Sequence, residues 1–221
     1  KVHPLDEKMI SEYVTHSWYS YTDDKDGLHP SVGETRPNFT GPKPPYEFLN
    51  TEEKYSWLKA PRYDGKSMEV GPLARMLVAY ASGNERVQYW VNAVLGKLGA
   101  GPEVLFSTLG RIAARCVETV VMAEKLEEWT MDLAANIASG DLRIHELDHW
   151  HPESWPAEAM GWGWSEAPRG ALGHWVHIKD GKIANYQAIV PSTWNGSPRD
   201  ASDIPGAYEA ALVGTPVADP E

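Results

Sequence analysis

The stretch EVLFSTLGRIAARCVETVVMAEKL, residues 103–126, places apolar side chains at Leu105, Leu109, Ile112, Cys116, Val120, Met122 and Leu126. Steps of mostly three and four keep them on one face of a helix, and the pattern runs on to Gly140. The spacing predicts a long helix in a bundle core. Upstream, Pro72 suits a first helical position and leads into Leu73, Met76, Leu77 and Tyr80. Ser82-Gly83-Asn84 ends that helix, and Asn84 can cap the next, whose stripe is Val87, Trp90, Val91, Val94, Leu95 and Leu98. Gly99-Ala100-Gly101-Pro102 breaks the pattern before the long helix begins. Residues 68–140 therefore read as a helical bundle core.

The flanks differ in character. In residues 1–67, Pro4 followed by Asp6, Glu7, Met9, Ile10, Tyr13, Val14 and Ser17 predicts a short amphipathic helix with acids in its first turn. Asp23-Asp24-Lys25-Asp26-Gly27 and Gly41-Pro42-Lys43-Pro44-Pro45 then mark a long irregular segment, of the kind that carries function or a partner surface. In residues 141–221, Gly173 to Ile178 and Ile183 to Val190 flank Asp180-Gly181 and predict a β-hairpin. A loop over 195–206 and a short helix over 207–213 follow. The fold class expected is mainly α, a long-helix bundle with a β-hairpin and extended loop-rich segments.

Composition limits what such a chain can do. With 221 residues it suits one large domain or one and a half ordinary ones. Its net charge of -11 repels phosphates and anionic lipid, so nucleic acid is not an expected partner. No apolar run approaches the roughly 20 residues of a membrane helix. One cysteine excludes an intrachain disulfide framework, a Cys-rich zinc module and an iron–sulfur cluster held by this chain alone. The 10 Trp and 17 Pro cluster outside the helical middle, which suggests stiff segments packed on something larger. The start carries no signal-peptide pattern, and both ends look cut, so a piece of a longer polypeptide is expected.

Several constellations could carry chemistry. Cys116, between Ile112 and Val120 on the apolar stripe, reads as a small buried hydrophobe rather than a reactive thiol. His145-Glu146-Leu147-Asp148-His149-Trp150-His151 invites a metal reading, but Gly140 and Pro152 make helical register there doubtful and favour a solvated loop. Glu12 and His16 at i,i+4 read as a surface pair. Arg169, between Pro168 and Gly170, is different: its backbone is constrained on one side and open on the other, which suits presenting a guanidinium to an anion or polar ligand. The predicted hairpin returns the chain to Val190-Pro191-Ser192, so Arg169 and Ser192 could converge. An Arg169–Glu166 pair and a serine in an ordinary turn is the equal alternative.

Glu-Ala-Pro-Arg-Gly-Ala-Leu-Gly-His-Trp (166–175) and Tyr-Gln-Ala-Ile-Val-Pro-Ser-Thr-Trp-Asn (186–195) resemble the large subunit of uptake [NiFe] hydrogenases. So do Glu-Tyr-Val-Thr-His-Ser-Trp-Tyr (12–19), Lys-Tyr-Ser-Trp-Leu-Lys-Ala-Pro-Arg-Tyr (54–63) and Gly-Thr-Pro-Val-Ala-Asp-Pro-Glu (214–221). The resemblance runs from end to end and in order. It implies part of a larger α+β subunit that reversibly oxidises H2 to protons and electrons at a Ni-Fe(CN)2(CO) centre. The family holds nickel and iron by two C-x-x-C motifs. Neither is present, so the Ni–Fe ligands are expected to lie outside this chain, which resembles a C-terminal middle portion of the subunit.

By the same resemblance Arg169 is the catalytic arginine over the open coordination position. Ser192 donates to a cyanide, while Ala167, Pro168, Val190 and Pro191 wall in the cyanide and CO ligands. A buried, partly anionic cyanide needs donors, whereas carbon monoxide tolerates an apolar wall. The resemblance also implies a magnesium ion taken by the carbonyl of Ala188, with Glu12, Lys59 and Gln187 in its water-linked shell. Expected partners are an iron–sulfur small subunit and the remaining segments of the large subunit. The expected location is the periplasmic side of the cytoplasmic membrane, within a membrane-associated complex. A hydrogen-sensing or assembly-related paralogue, a quinone-reductase subunit and a non-catalytic interaction fragment are the rival readings. Retention of Pro168-Arg169 and Ser192 speaks against the quinone reductase.

Overall fold

After Pro4 the chain makes one 3-10 turn, Glu7–Met9, in which the Asp6 carboxylate accepts from the Lys8 amide at 3.1 Å. It then extends as β1 (Ile10–Tyr13) instead of continuing as the expected helix. Ile10, Glu12, Val14 and His16 are buried while the residues between them are not, a period of two rather than 3.6. Strands β2 (Tyr19–Tyr21) and β3 (Thr35–Pro37) pair with each other, and β4 (Ala60–Tyr63) pairs antiparallel with β1. The computed structural model describes residues 2–23, 25–41, 52–145 and 147–218. Asp24, the Pro42–Pro45 loop signal, Glu146 and the terminal Asp219-Pro220-Glu221 lie outside the described residues.

The chain divides into two units, one of residues 1–3 and 72–157, the other of residues 4–71 and 158–221. The first holds α1 (Pro72–Ala81), α2 (Glu85–Leu98) and α3 (Thr108–Ala138). The caps are those the sequence offered. Asn84 accepts from the Val87 amide at 3.0 Å, Gly99 closes α2 in the left-handed region at φ +60°, and Ser107 caps α3 through the Gly110 amide. The core is Leu73, Met76, Val87, Val91, Leu105, Ala114, Val117 and Val121.

Leu73, Met76, Val87, Val91 and Leu105 are those read from the sequence, but the rest of the stripe expected along α3 is not buried. Leu109 is 77% exposed, Ile112 and Leu126 are exposed, and Cys116 is an exposed free thiol rather than a buried hydrophobe. The buried face of α3 is set by small residues. A Cβ on Gly110 would come within 2.4 Å of the Leu105 backbone, so only glycine lets the helix close on that turn. Past Gly140 the histidine-rich segment forms turns and no helix, and no group of three or more metal-ligating side chains occurs among the described residues.

The second unit is completed by β5 (Glu158–Ala167), β6 (Gly170–Lys179) and β7 (Lys182–Ile189), an antiparallel sheet in that order. Asp180 and Gly181, at φ +51° and +70°, make the expected two-residue turn between β6 and β7. Strand β5 was not expected, and it pairs with β6 along its full length. Helices α4 (Pro191–Asn195) and α5 (Ala207–Leu212) follow. Among the described residues five helices stand beside seven strands in three antiparallel sheets, which overturns the expectation of a mainly α long-helix bundle.

Ile10, Trp175, Ile189 and Trp194 form the apolar centre of the second unit, and Arg62 is its polar one. The Arg62 guanidinium is wholly buried. It donates to Asp200 Oδ2 at 2.6 Å, to the carbonyls of Pro61 and Ile204 at 2.8 and 2.7 Å, and to Ser197 Oγ at 3.2 Å. Asp200 Oδ1 accepts from the amides of Ser202 and Ile204, so one ion pair fixes the loop behind α4. Removing one partner of such a pair costs about 3–5 kcal/mol. Asp200→Asn in the complete subunit is therefore expected to lower stability by about that amount in chemical denaturation. A loss below about 1 kcal/mol, the worth of an exposed pair, would show that the pair does not hold this loop.

Candidate functional site

The turn between β5 and β6 is as short as a hairpin allows. Ala167 pairs with Gly170, leaving Pro168 and Arg169 alone at the tip. At the other side of the same sheet, Gly173 of β6 pairs with Ile189, the last residue of β7. The start of β6 and the end of β7 thus lie at one end of the sheet, and Arg169 and Val190-Pro191-Ser192 emerge there together. Pro191 is buried at the first position of α4, whereas Val190, Ser192, Pro168 and Arg169 are exposed and Ala167 is half-buried. Among the described residues neither the Arg169 guanidinium nor the Ser192 hydroxyl has a hydrogen-bond partner. The end of the sheet therefore offers two donors, one cationic, beside a small apolar wall.

A strap joins the two elements. The Asn195 side chain, buried at the last residue of α4, accepts from the Val70 amide at 2.9 Å and donates to the Val70 carbonyl at 2.8 Å. The next residue, Gly71 at φ +129°, passes so close to the turn that a Cβ there would stand 3.0 Å from the Arg169 carbonyl. Gly170, at φ +136°, is equally tight against Val70 and Gly71. Asn195, Val70 and Gly71 were not foreseen as site residues. Asn195-Gly196 and Gly71-Pro72 read in sequence only as loop punctuation.

The second cluster brings together residues far apart in the chain. Lys59 Nζ donates to Glu12 Oε2 at 2.5 Å and to Gln187 Oε1 at 2.8 Å. Ala188 follows Gln187 on β7, half-buried and paired with His174. Glu12 is 1% exposed, and its Oε1 has no hydrogen-bond partner among the described residues. Burial pushes the Glu12 carboxyl above its usual range, and the Lys59 charge works against that rise. Glu12 and His16 do not form the expected helical pair: His16 Nδ1 instead meets the Glu53 carbonyl at 2.6 Å.

An orphaned carboxylate oxygen beside a lysine and an amide suits a hydrated divalent cation, which takes oxygen ligands and keeps several waters. Lys59 already neutralises the other oxygen, so Glu12 and Gln187 would serve such an ion through water. The titration has a defined sign. The folded chain keeps a proton on Glu12 at pH values where the unfolded chain has released it, so stability falls as pH rises above the ordinary value of 4.5. Glu12→Gln is expected to flatten this part of the pH–stability curve of the complete subunit, measured without added divalent cations. An unchanged slope would remove Glu12 as its source.

A family model described as nickel-dependent hydrogenase matches residues 1–221. The chain is 49% identical over its full length to the uptake hydrogenase large subunit of Bradyrhizobium diazoefficiens, covering 39% of that protein. It is 45% identical over 98% of its length to the hydrogenase-1 large chain of Escherichia coli K12, covering 37% of it. Among solved structures, the [NiFeSe] hydrogenase of D. vulgaris Hildenborough in the reduced state aligns with a TM-score of 0.72 and 38% identity over 99% of this chain and 42% of that one. That of Dm. baculatum aligns with a TM-score of 0.73 at 36% identity, again over 99% of this chain. The chain thus spans about two fifths of the length of its curated relatives. Matched by the family model from first residue to last, it belongs to the nickel-dependent hydrogenase family.

Proposed function

We propose that this chain is the part of a [NiFe] hydrogenase large subunit that walls one side of the Ni–Fe centre, in an enzyme that reversibly oxidises H2 to protons and electrons. The observation that carries the reading is the joint emergence of Arg169 and Ser192, two donors without partners among the described residues, at one end of a sheet. When bound, the metal pair supplies the site at which dihydrogen is split. Its anchoring thiolates belong outside this chain, because the single cysteine lies exposed on α3.

The roles of the residues follow from their chemistry. Ser192 donates a hydrogen bond to an iron-bound cyanide, a partly anionic acceptor that is costly to bury unpaired. Ala167, Val190, Pro168 and Pro191 present the apolar wall that carbon monoxide tolerates. Arg169 would present a fixed positive charge and planar donors to the metal centre, where it would polarise the substrate and favour release of a proton to a nearby base.

Glu12 and Gln187 would hold a magnesium ion through water, with Lys59 in the same shell neutralising the other Glu12 oxygen, and the Ala188 carbonyl would ligate it directly. The apolar side chains exposed on α3 are covered by the remaining segments of the large subunit. An iron–sulfur small subunit takes the electrons, and the complex lies at the periplasmic side of the cytoplasmic membrane.

Arg169→Lys, made in the complete large subunit assembled with its small subunit, tests the reading. Lysine keeps the charge and loses the rigid fork, so H2 oxidation is expected to fall roughly 100-fold or more while nickel and iron contents stay unchanged. Activity within about twofold of the parent, at equal metal content, would contradict a catalytic Arg169. An assembly without nickel and iron would contradict the function itself.

A further inference from the structure

We infer that Asn195 is a positioning residue: by clamping Val70 it fixes the spacing between the Arg169 turn and the Ser192 helix. The inference rests on the assignment of those two residues to the wall of the Ni–Fe centre. Arg169 and Ser192 belong to separate elements, and no described hydrogen bond joins their side chains. Beyond the β6–β7 pairing, the strap at Val70-Gly71 joins their backbones. On one side Asn195 forms a two-point amide clamp with Val70, the same pairing that two strands use, at 2.9 and 2.8 Å. On the other side Gly71 and Gly170 meet so closely that neither position admits a side chain.

Both connections are stiff. Asn195 is 6% exposed, so its amide has no water to exchange for Val70. It ends the single turn of α4 that Ser192 begins to build, and the Gly196 amide closes that turn on the Ser192 carbonyl at 2.8 Å. A shift of Val70 therefore passes to Ser192 through α4 and to Arg169 through Gly71. The clamp touches no reacting atom and acts only through the other two residues. Its loss has a signature that general destabilisation lacks, because a cyanide donor moved by a fraction of an ångström changes the stretching frequency of that ligand.

The test uses the complete large subunit assembled with its small subunit, carrying Asn195→Ala, Asn195→Asp or Ser192→Ala, with infrared spectra of the iron-bound cyanides and carbon monoxide. Ser192→Ala is expected to move one cyanide band. Asn195→Ala is expected to move the same band by less, and to lower H2 oxidation roughly 10- to 100-fold at unchanged metal content. Asn195→Asp keeps the acceptor for the Val70 amide and loses the donor, so its shift should fall between the parent and Asn195→Ala. If Asn195→Ala does not assemble, Asn195→Asp carries the test alone. Cyanide bands at parental positions in the Asn195 variants, with one band moved by Ser192→Ala, would overturn the clamp and leave the wall assignment standing. Bands unmoved by Ser192→Ala would overturn the assignment of Ser192 and the clamp with it.

Discussion

A guanidinium sealed from water ties the second unit of this protein together. Arg62 sits on a four-residue strand, and its donors reach Asp200, Ser197 and the carbonyls of Pro61, Pro198 and Ile204, most of them well over a hundred residues away in sequence. Burying a charge in an apolar interior is expensive unless its hydrogen-bonding capacity is filled, and here it is filled mostly by the loop after α4, which Tyr55 also holds by accepting from the Arg199 amide at 2.8 Å. Once that loop is fixed, α4 is anchored behind as well as in front, where Trp194 packs with Trp175 and Ile189 of the sheet. The exposed Ser192 is thus carried on a rigid mount.

The same logic recurs on a smaller scale. Lys59 links β1 to β7 by donating to Glu12 and Gln187, and Lys54 donates to the carbonyls of Val14, Ser17 and Tyr19 at 2.7–2.8 Å, acting as a cation inside a cage of backbone oxygens. Burial lowers the Lys54 ammonium's affinity for its proton. These buried cations organise a unit whose apolar centre is only a few residues wide. The helical unit is built the other way, around an apolar seam of Leu73, Met76 and Leu105 with Val87, Val91, Ala114, Val117 and Val121, while other large apolar residues of α3 are left exposed. The chain spans about two fifths of the length of its curated relatives, and the proposed function has the rest of the large subunit cover these surfaces.

Much of this was legible in the sequence, and the failures are instructive. Asp180-Gly181 gave the turn between β6 and β7, and Asn84, Gly99 and Pro72 marked helix ends, because capping and turn chemistry are local. The buried face of α3 was misread because bulk was taken as the mark of burial. Close approach favoured Gly110, Ala114 and Val117, and left Leu109 and Ile112 outside. Strand β1 was mistaken for a helix because Met9, Ile10, Tyr13 and Val14 mimic helical spacing, while the true alternation runs through Glu12 and His16, polar residues whose burial depends on distant partners. Strand β5 escaped notice because Gly161 and Gly163 interrupt it and its tryptophans suggested loop packing. Arg169 stands out between Pro168 and Gly170, and the expected hairpin leads back to Ser192, whereas the roles given to them rest on the family's motifs. Asn195 and Arg62 could not be, since their roles exist only once Val70 and Asp200 have folded against them.

The central claim is that the Pro168-Arg169 turn and the first residues of α4 form one wall of a metal cavity closed by polypeptide from outside this chain. Anomalous diffraction at the nickel and iron edges, from crystals of the complete large and small subunits, tests it most directly. Both metal peaks are expected beside this end of the sheet, with the Ser192 hydroxyl within hydrogen-bond reach of a ligand on iron and the Arg169 guanidinium facing the nickel. Metal peaks remote from both side chains, with Arg169 and Ser192 open to bulk water in the assembled enzyme, would contradict it.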